Sequence, residues 1–122
     1  MKNWIILGAS LAGLAVILGA FGVHGLKSKV SPADLAIFET GVRYHMYHAL
    51  GLILLGILGF YYSGNVIQLP AVLLSVGILI FSGSLYILVL TGIRWMGAIT
   101  PIGGVAFIVG WVTLVFKILR TS

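Results

Sequence analysis

No cysteine occurs in this chain, which removes disulfides, thiolate metal sites and thiol nucleophiles at once. Acidic residues are almost as scarce: Asp34 and Glu39 stand against seven Lys and Arg, for a formal net charge of +5. Charged residues make up 7% of the sequence, where a soluble domain carries about 25%, so water is not the main solvent. Paired carboxylates, a Ser nucleophile elbow and a phosphate-binding loop behind a strand are all missing, and no enzymatic activity is expected. The basic residues flank apolar runs singly, where they can meet headgroups or snorkel. Nucleic-acid binding needs a patch, so no nucleic-acid partner is expected.

What is present is apolar. Hydrophobic residues reach 61% of the chain, and mean hydropathy is +1.21. A helix crossing a hydrocarbon core of about 30 Å needs roughly 20 such residues, so four crossings use about 80 and leave only short connections. The apolar runs are continuous, without the period-2 alternation of a membrane barrel, and helices are the remaining way to satisfy the backbone in lipid. The expected fold is all-α: a polytopic bundle of four transmembrane helices in a single domain, 1–122, with spans at about 4–26, 42–62, 69–91 and 97–119.

The first run, Trp4 to Val23, follows a short basic start and contains Ala20-Phe21-Gly22, which resembles a processing site; because it is long and continues into Gly25-Leu26, it reads as a retained helix. Ser31-Pro32-Ala33-Asp34 is a helix start, with Ser31 as N-cap, Pro32 in the first turn and Asp34 near the positive end of the dipole. From Pro32 the pattern has no breaker before about Tyr62, a helix too long for the membrane core, so its first turns are expected as an interfacial N-terminal extension with Leu35, Phe38 and Val42 on one face. Tyr61-Tyr62 suit an aromatic belt. Pro70 reads as the opening of the third span, and the fourth begins either at Met96 or at Thr100-Pro101. Lys2, Lys117 and Arg120 fall on one side of the membrane and Lys27, Lys29, Arg43 and Arg94 on the other. From that near-balance the termini are placed in the cytoplasm.

On the first helix Gly8, Ala12, Ala15, Gly19 and Gly22 recur at spacings of four and three, a small-residue stripe suited to close helix–helix approach. On the fourth, Gly97 and Gly104 share one face and Gly103 and Gly110 another; Gly104 is taken as the packing position. Ser75, Ser82 and Tyr86 line one face of the third helix, where Ser82 and Tyr86 are expected to bond between helices.

Several strings resemble one family. Gly19-Ala20-Phe21-Gly22-Val23-His24-Gly25-Leu26, Phe38-Glu39-Thr40-Gly41 with Tyr44-His45-Met46-Tyr47-His48-Ala49-Leu50, Phe81-Ser82-Gly83-Ser84-Leu85-Tyr86, and Thr100-Pro101-Ile102-Gly103-Gly104 occur in the order found in the domain-of-unknown-function 423 family of small bacterial membrane proteins. The resemblance covers the whole chain and implies a four-span membrane protein with no assigned activity. His45 stands where the resemblance leads one to expect Gln.

Four crossings would gather His24, Glu39, Arg43, Tyr44, His45, Thr91, Arg94 and Thr100 at one membrane face, with His48 a little deeper. Glu39 and Arg43 have the i, i+4 order that favours an ion pair. Three imidazoles near Glu39 are chemically suited to zinc or a proton relay. Without cysteine or a His-Glu-x-x-His string, however, no metal or other cofactor is expected, and plain interhelical hydrogen bonding by His48 leads. The expected function is that of a bacterial plasma-membrane protein binding lipid headgroups or a partner membrane protein through His24, Glu39, Arg43, Tyr44 and His48, as a homo-oligomer in one version. The alternative is a small oligomeric transporter or channel subunit.

Overall fold

The computed structural model describes residues 1–121 and contains no strand among them. Four helices follow one another: α1 (Lys2–Leu26), α2 (Pro32–Leu58), α3 (Gly64–Thr91) and α4 (Arg94–Leu119), the last entered through a 3-10 turn at Arg94–Ala98. By length and apolarity α1, α3 and α4 are each able to cross a membrane. The second is not among them, because its middle turns carry Arg43, Tyr44, His45, Tyr47 and His48.

Two boundaries differ from the sequence expectation, and a third is settled between the two starts it offered. α2 stops at Leu58 instead of Tyr62: Gly59 caps it, and Tyr61 and Tyr62 turn back with their N–H groups on the Leu58 carbonyl. Met1 packs where a Cβ at residue 59 would stand, so the turn is set partly by a contact distant in sequence. α3 begins at Gly64 with Pro70 inside it, not at its start. Pro70 forfeits one backbone bond, yet Val66, Ile67 and Pro70 itself are buried, and that packing holds the extra turn and a half. The α-helical part of α4 starts at Thr100, with Pro101 in its first turn. Ser31 is the N-cap of α2, its hydroxyl oxygen accepting the Asp34 N–H at 3.1 Å.

α2 and α3 form the inner pair. Along α2, α1 runs antiparallel: a Cβ on Gly8 would lie 2.7 Å from the Ala49 carbonyl, one on Gly19 3.1 Å from Val42, and one on Gly22 3.3 Å from the Phe38 ring. Ala15 is buried and Ala12 half-buried on the same side. α3 meets α2 at Gly41, and α4 meets α3 where Gly103 lies against the Phe81 backbone and Gly110 against Leu73 and Leu74. Gly104, taken as the packing glycine from sequence, faces the Phe81 ring at ordinary contact distance, 3.8 Å. Gly103 and Gly110, one face round, are buried and carry the crossing. Two apolar clusters stack along the bundle. One contains Phe38, Leu88 and Val89; the other contains Leu52, Leu55, Ile67, Ala71, Leu74 and Phe107.

Candidate functional site

Between those clusters lies a polar layer built on α2. α3 loosens into a π-turn at Ile78–Ser82 where it passes this layer, and α1 has one at Leu18–Gly22 beside it, against Val42 and Phe38. Such turns are frequent at functional sites. The Ser82 hydroxyl donates to the Gly41 carbonyl of α2 at 2.7 Å, while Ser75 turns back onto its own helix. The Tyr86 hydroxyl lies 2.8 Å from His45 Nδ1, and Ser84 lies 2.6 Å from the Thr100 hydroxyl of α4. His45 is 2% exposed, and its Nε2 has no hydrogen-bond partner.

His48 is fixed more completely. The Trp111 indole N–H donates to its Nε2 at 3.1 Å. Indole is a donor only, so Nε2 accepts and the proton sits on Nδ1, from which it is donated to the Tyr44 carbonyl at 2.8 Å. The ring stacks on Phe107 with centroids 3.5 Å apart and planes 8° from parallel. Both nitrogens of a neutral imidazole are thus engaged, leaving no lone pair for a metal. No group of three or more His, Cys, Asp or Glu suited to a metal ion occurs among the described residues.

The residues expected to form one cluster are divided by the fold. Tyr44 and His48 line a 490 Å³ groove with Phe81, Gly104, Phe107, Ile108 and Trp111 between α2, α3 and α4. Glu39 and Arg43 line a different, shallow groove of 330 Å³ with Gly19, Val23 and Val42 between α1 and α2. His24, exposed at the end of α1, lines neither. The expected Glu39–Arg43 ion pair does not form; among the described residues the ion pair is Asp34–Arg94. Its bonds are bidentate, at 2.8 and 2.7 Å, tying the first turn of α2 to the start of α4. The Arg94 bonds hold the Asp34 carboxyl below its ordinary pKa, outweighing the opposing effect of desolvation.

Sequence reasoning missed Asp34–Arg94 and Trp111–His48, each about sixty residues apart. The usable signal was topological: four antiparallel helices bring the first and third connections together.

α1 and α3 cover two sides of α2, and Phe107 and Trp111 of α4 reach a third across the groove. The fourth is open and carries Glu39, Arg43, Tyr47, Leu50, Leu54 and Ile57, all exposed. It changes along its length from charged, through aromatic, to aliphatic.

Residues 18–104 match a family model described as protein of unknown function (DUF423). The chain is 53% identical to the UPF0382 membrane protein YwdK of Bacillus subtilis, over 98% of each chain. It is 56% identical to a UPF0382 membrane protein of Staphylococcus saprophyticus, over 97% of this chain and all of that one. A UPF0382 membrane protein of Staphylococcus epidermidis is 52% identical over 98% of both. No solved structure matches.

Proposed function

This chain belongs to the DUF423 family and is a multi-pass membrane protein, and on that premise we propose that it crosses the bacterial cell membrane four times and binds a phospholipid on the open face of α2. The fourth crossing rests on packing: α2 lies antiparallel to α1 from Phe38–Gly22 at one end to Gly56–Ile5 at the other, so a membrane around α1 also surrounds α2. At 1.5 Å per residue α2 is about 40 Å long, which leaves its first turns in the headgroup layer as an interfacial extension.

The observation that carries the reading is Arg43. Its side chain is exposed on the open face and has no ion-pair partner among the described residues, roughly at the hydrocarbon boundary. A cation left uncompensated there costs at least a few kcal/mol, and a phosphate supplied by the membrane offsets that cost. Below Arg43 the face turns aliphatic at Leu50, Leu54 and Ile57, in line with an acyl chain. Glu39 lies one turn, about 6 Å, nearer the water. An aminophospholipid carries its ammonium outside its phosphate, and the order of Glu39 and Arg43 matches it.

The transporter alternative has less support. Inside the bundle, side-chain hydrogen bonds between helices gather around His45, His48, Ser82, Tyr86 and Thr100, while Ser10 and Ser75 bond only to their own helices. The cluster from Leu52 to Leu74 closes the other half with apolar side chains, so no polar path continues through one copy. Native mass spectrometry from nanodiscs of mixed phosphatidylethanolamine and phosphatidylglycerol tests the proposal. Wild type is expected to retain one phospholipid. Arg43→Gln is expected to lose it, and Glu39→Gln to keep lipid but lose the preference for ethanolamine. Retention by Arg43→Gln equal to wild type, or a second copy of the chain held in place of lipid, refutes the reading.

A further inference from the structure

The contacts settle which charges share an end. Asp34–Arg94 joins the first connection to the third. At the other end Met1 packs on Gly59, Trp4 donates to Gln68, and Tyr61, Tyr62 and Ser63 form a hollow with Arg120 and Thr121. One end therefore holds Lys27, Lys29, Arg43 and Arg94, the opposite end Lys2, Lys117 and Arg120. Orientation in a membrane follows the difference in Lys and Arg between the two sides, with Asp and Glu contributing little. Here the difference is a single residue, and Arg94 is already held by Asp34.

The ends are alike in other respects too. Each presents exposed aromatics, Tyr61 at one and Tyr47 and Trp95 at the other. Each has an arginine at the rim of a shallow hollow, Arg120 in one of 640 Å³ and Arg43 in one of 330 Å³. The connections between helices are short at both ends. Neither charge nor aromatic anchors tell the two faces of the membrane apart.

We infer that the chain inserts in both orientations, so that inverted copies populate one membrane. This replaces a single placement of the termini and rests on the four-crossing reading. It also gives the lipid reading a consequence: the open face of α2 is presented to headgroups of both leaflets.

The absence of cysteine allows a direct test with single cysteines and a membrane-impermeant maleimide on intact cells. Ser28 lies in the first connection and Ser63 in the second, and both are exposed. Ser28→Cys and Ser63→Cys are expected to label in complementary fractions, each a substantial share of the molecules. One added lysine should tip the balance, since the more basic side stays in the cytoplasm. Adding Ser28→Lys to the Ser63→Cys variant should raise its labelling, and adding Asn65→Lys to the Ser28→Cys variant should do the same there. Complete labelling of one position with the other protected (a minor share below about a tenth) overturns the proposal, as do fractions that neither lysine moves. Both positions fully labelled, or both protected, means that α2 does not cross, which removes the four-crossing reading and the proposal with it.

Discussion

Gly103→Ala and Gly104→Ala are the same chemical change at adjacent positions of α4, and their expected consequences have opposite signs. A Cβ at residue 103 would stand 2.7 Å from Phe81 Cα and 2.8 Å from Phe81 Cβ. Those atoms belong to the α3 backbone and its first side-chain carbon, which no rotamer change can move, so the two helices must part by several tenths of an ångström. Overpacking of a tight contact costs typically about 1–3 kcal/mol. The same Cβ at residue 104 would meet the edge of the Phe81 ring at 3.8 Å, an ordinary contact, and Ala gains up to about 1 kcal/mol over Gly in a helix. The variants should differ by about 1–4 kcal/mol, and about 1.4 kcal/mol already changes an equilibrium tenfold. Equilibrium unfolding in mixed micelles, followed by helicity and by tryptophan fluorescence, reads the difference directly. Equal midpoints, or a larger loss at residue 104, would refute the assignment of the α3–α4 crossing to Gly103.

Two further outcomes follow from the polar contacts. Because Arg94 lowers the Asp34 pKa, the bridge contributes stability above the ordinary carboxylate range and loses it as pH falls through the lowered folded value. Thermal stability should therefore drop on acidification below about pH 4, and Asp34→Asn should flatten that part of the profile; an unchanged slope counts against the bridge. His45→Gln keeps an acceptor for the Tyr86 hydroxyl and should be nearly neutral, whereas His45→Leu should cost about 0.6 kcal/mol, the average for an interhelical bond in a membrane bundle; a denaturation midpoint identical in both variants would show that the His45–Tyr86 contact contributes nothing.

The class of fold was readable because solvent dictates composition: 7% charged residues and no cysteine leave little besides helices in lipid. Local signals were readable for a similar reason. Ser31-Pro32 marks a helix start through chemistry contained in four residues, and the Gly8 to Gly22 spacing is a property of one helix. What the sequence did not disclose is non-local. The end of α2 depends on Met1 packing against Gly59, and the early start of α3 on the burial of Val66 and Ile67. Arg43 was assigned Glu39 by an i, i+4 rule, while the ion pair that forms spans sixty residues. Gly103 and Gly104 each had a partner seven residues away, so periodicity had no means of choosing between their faces.

The least apolar helix is one of the two inner helices, and the solvent explains why it needs neighbours. In hydrocarbon an unsatisfied polar group costs more than in water, so a helix carrying two buried histidines is stable only where neighbours supply donors and acceptors. α3 supplies Ser82 and Tyr86, and α4 supplies Trp111. The apolar helices need no such company and turn Leu14, Val16 and Ile17 of α1 and Val105, Ile108 and Val112 of α4 outward. On the fourth side of α2 no helix arrives, yet Glu39 and Arg43 stand there. The logic that gave His45 and His48 their partners leaves Arg43 to find its own outside the chain. Under the proposed four crossings the anion in greatest supply there is a lipid phosphate, which is why the lipid proposal rests on the uncovered side of α2 and not on its histidines.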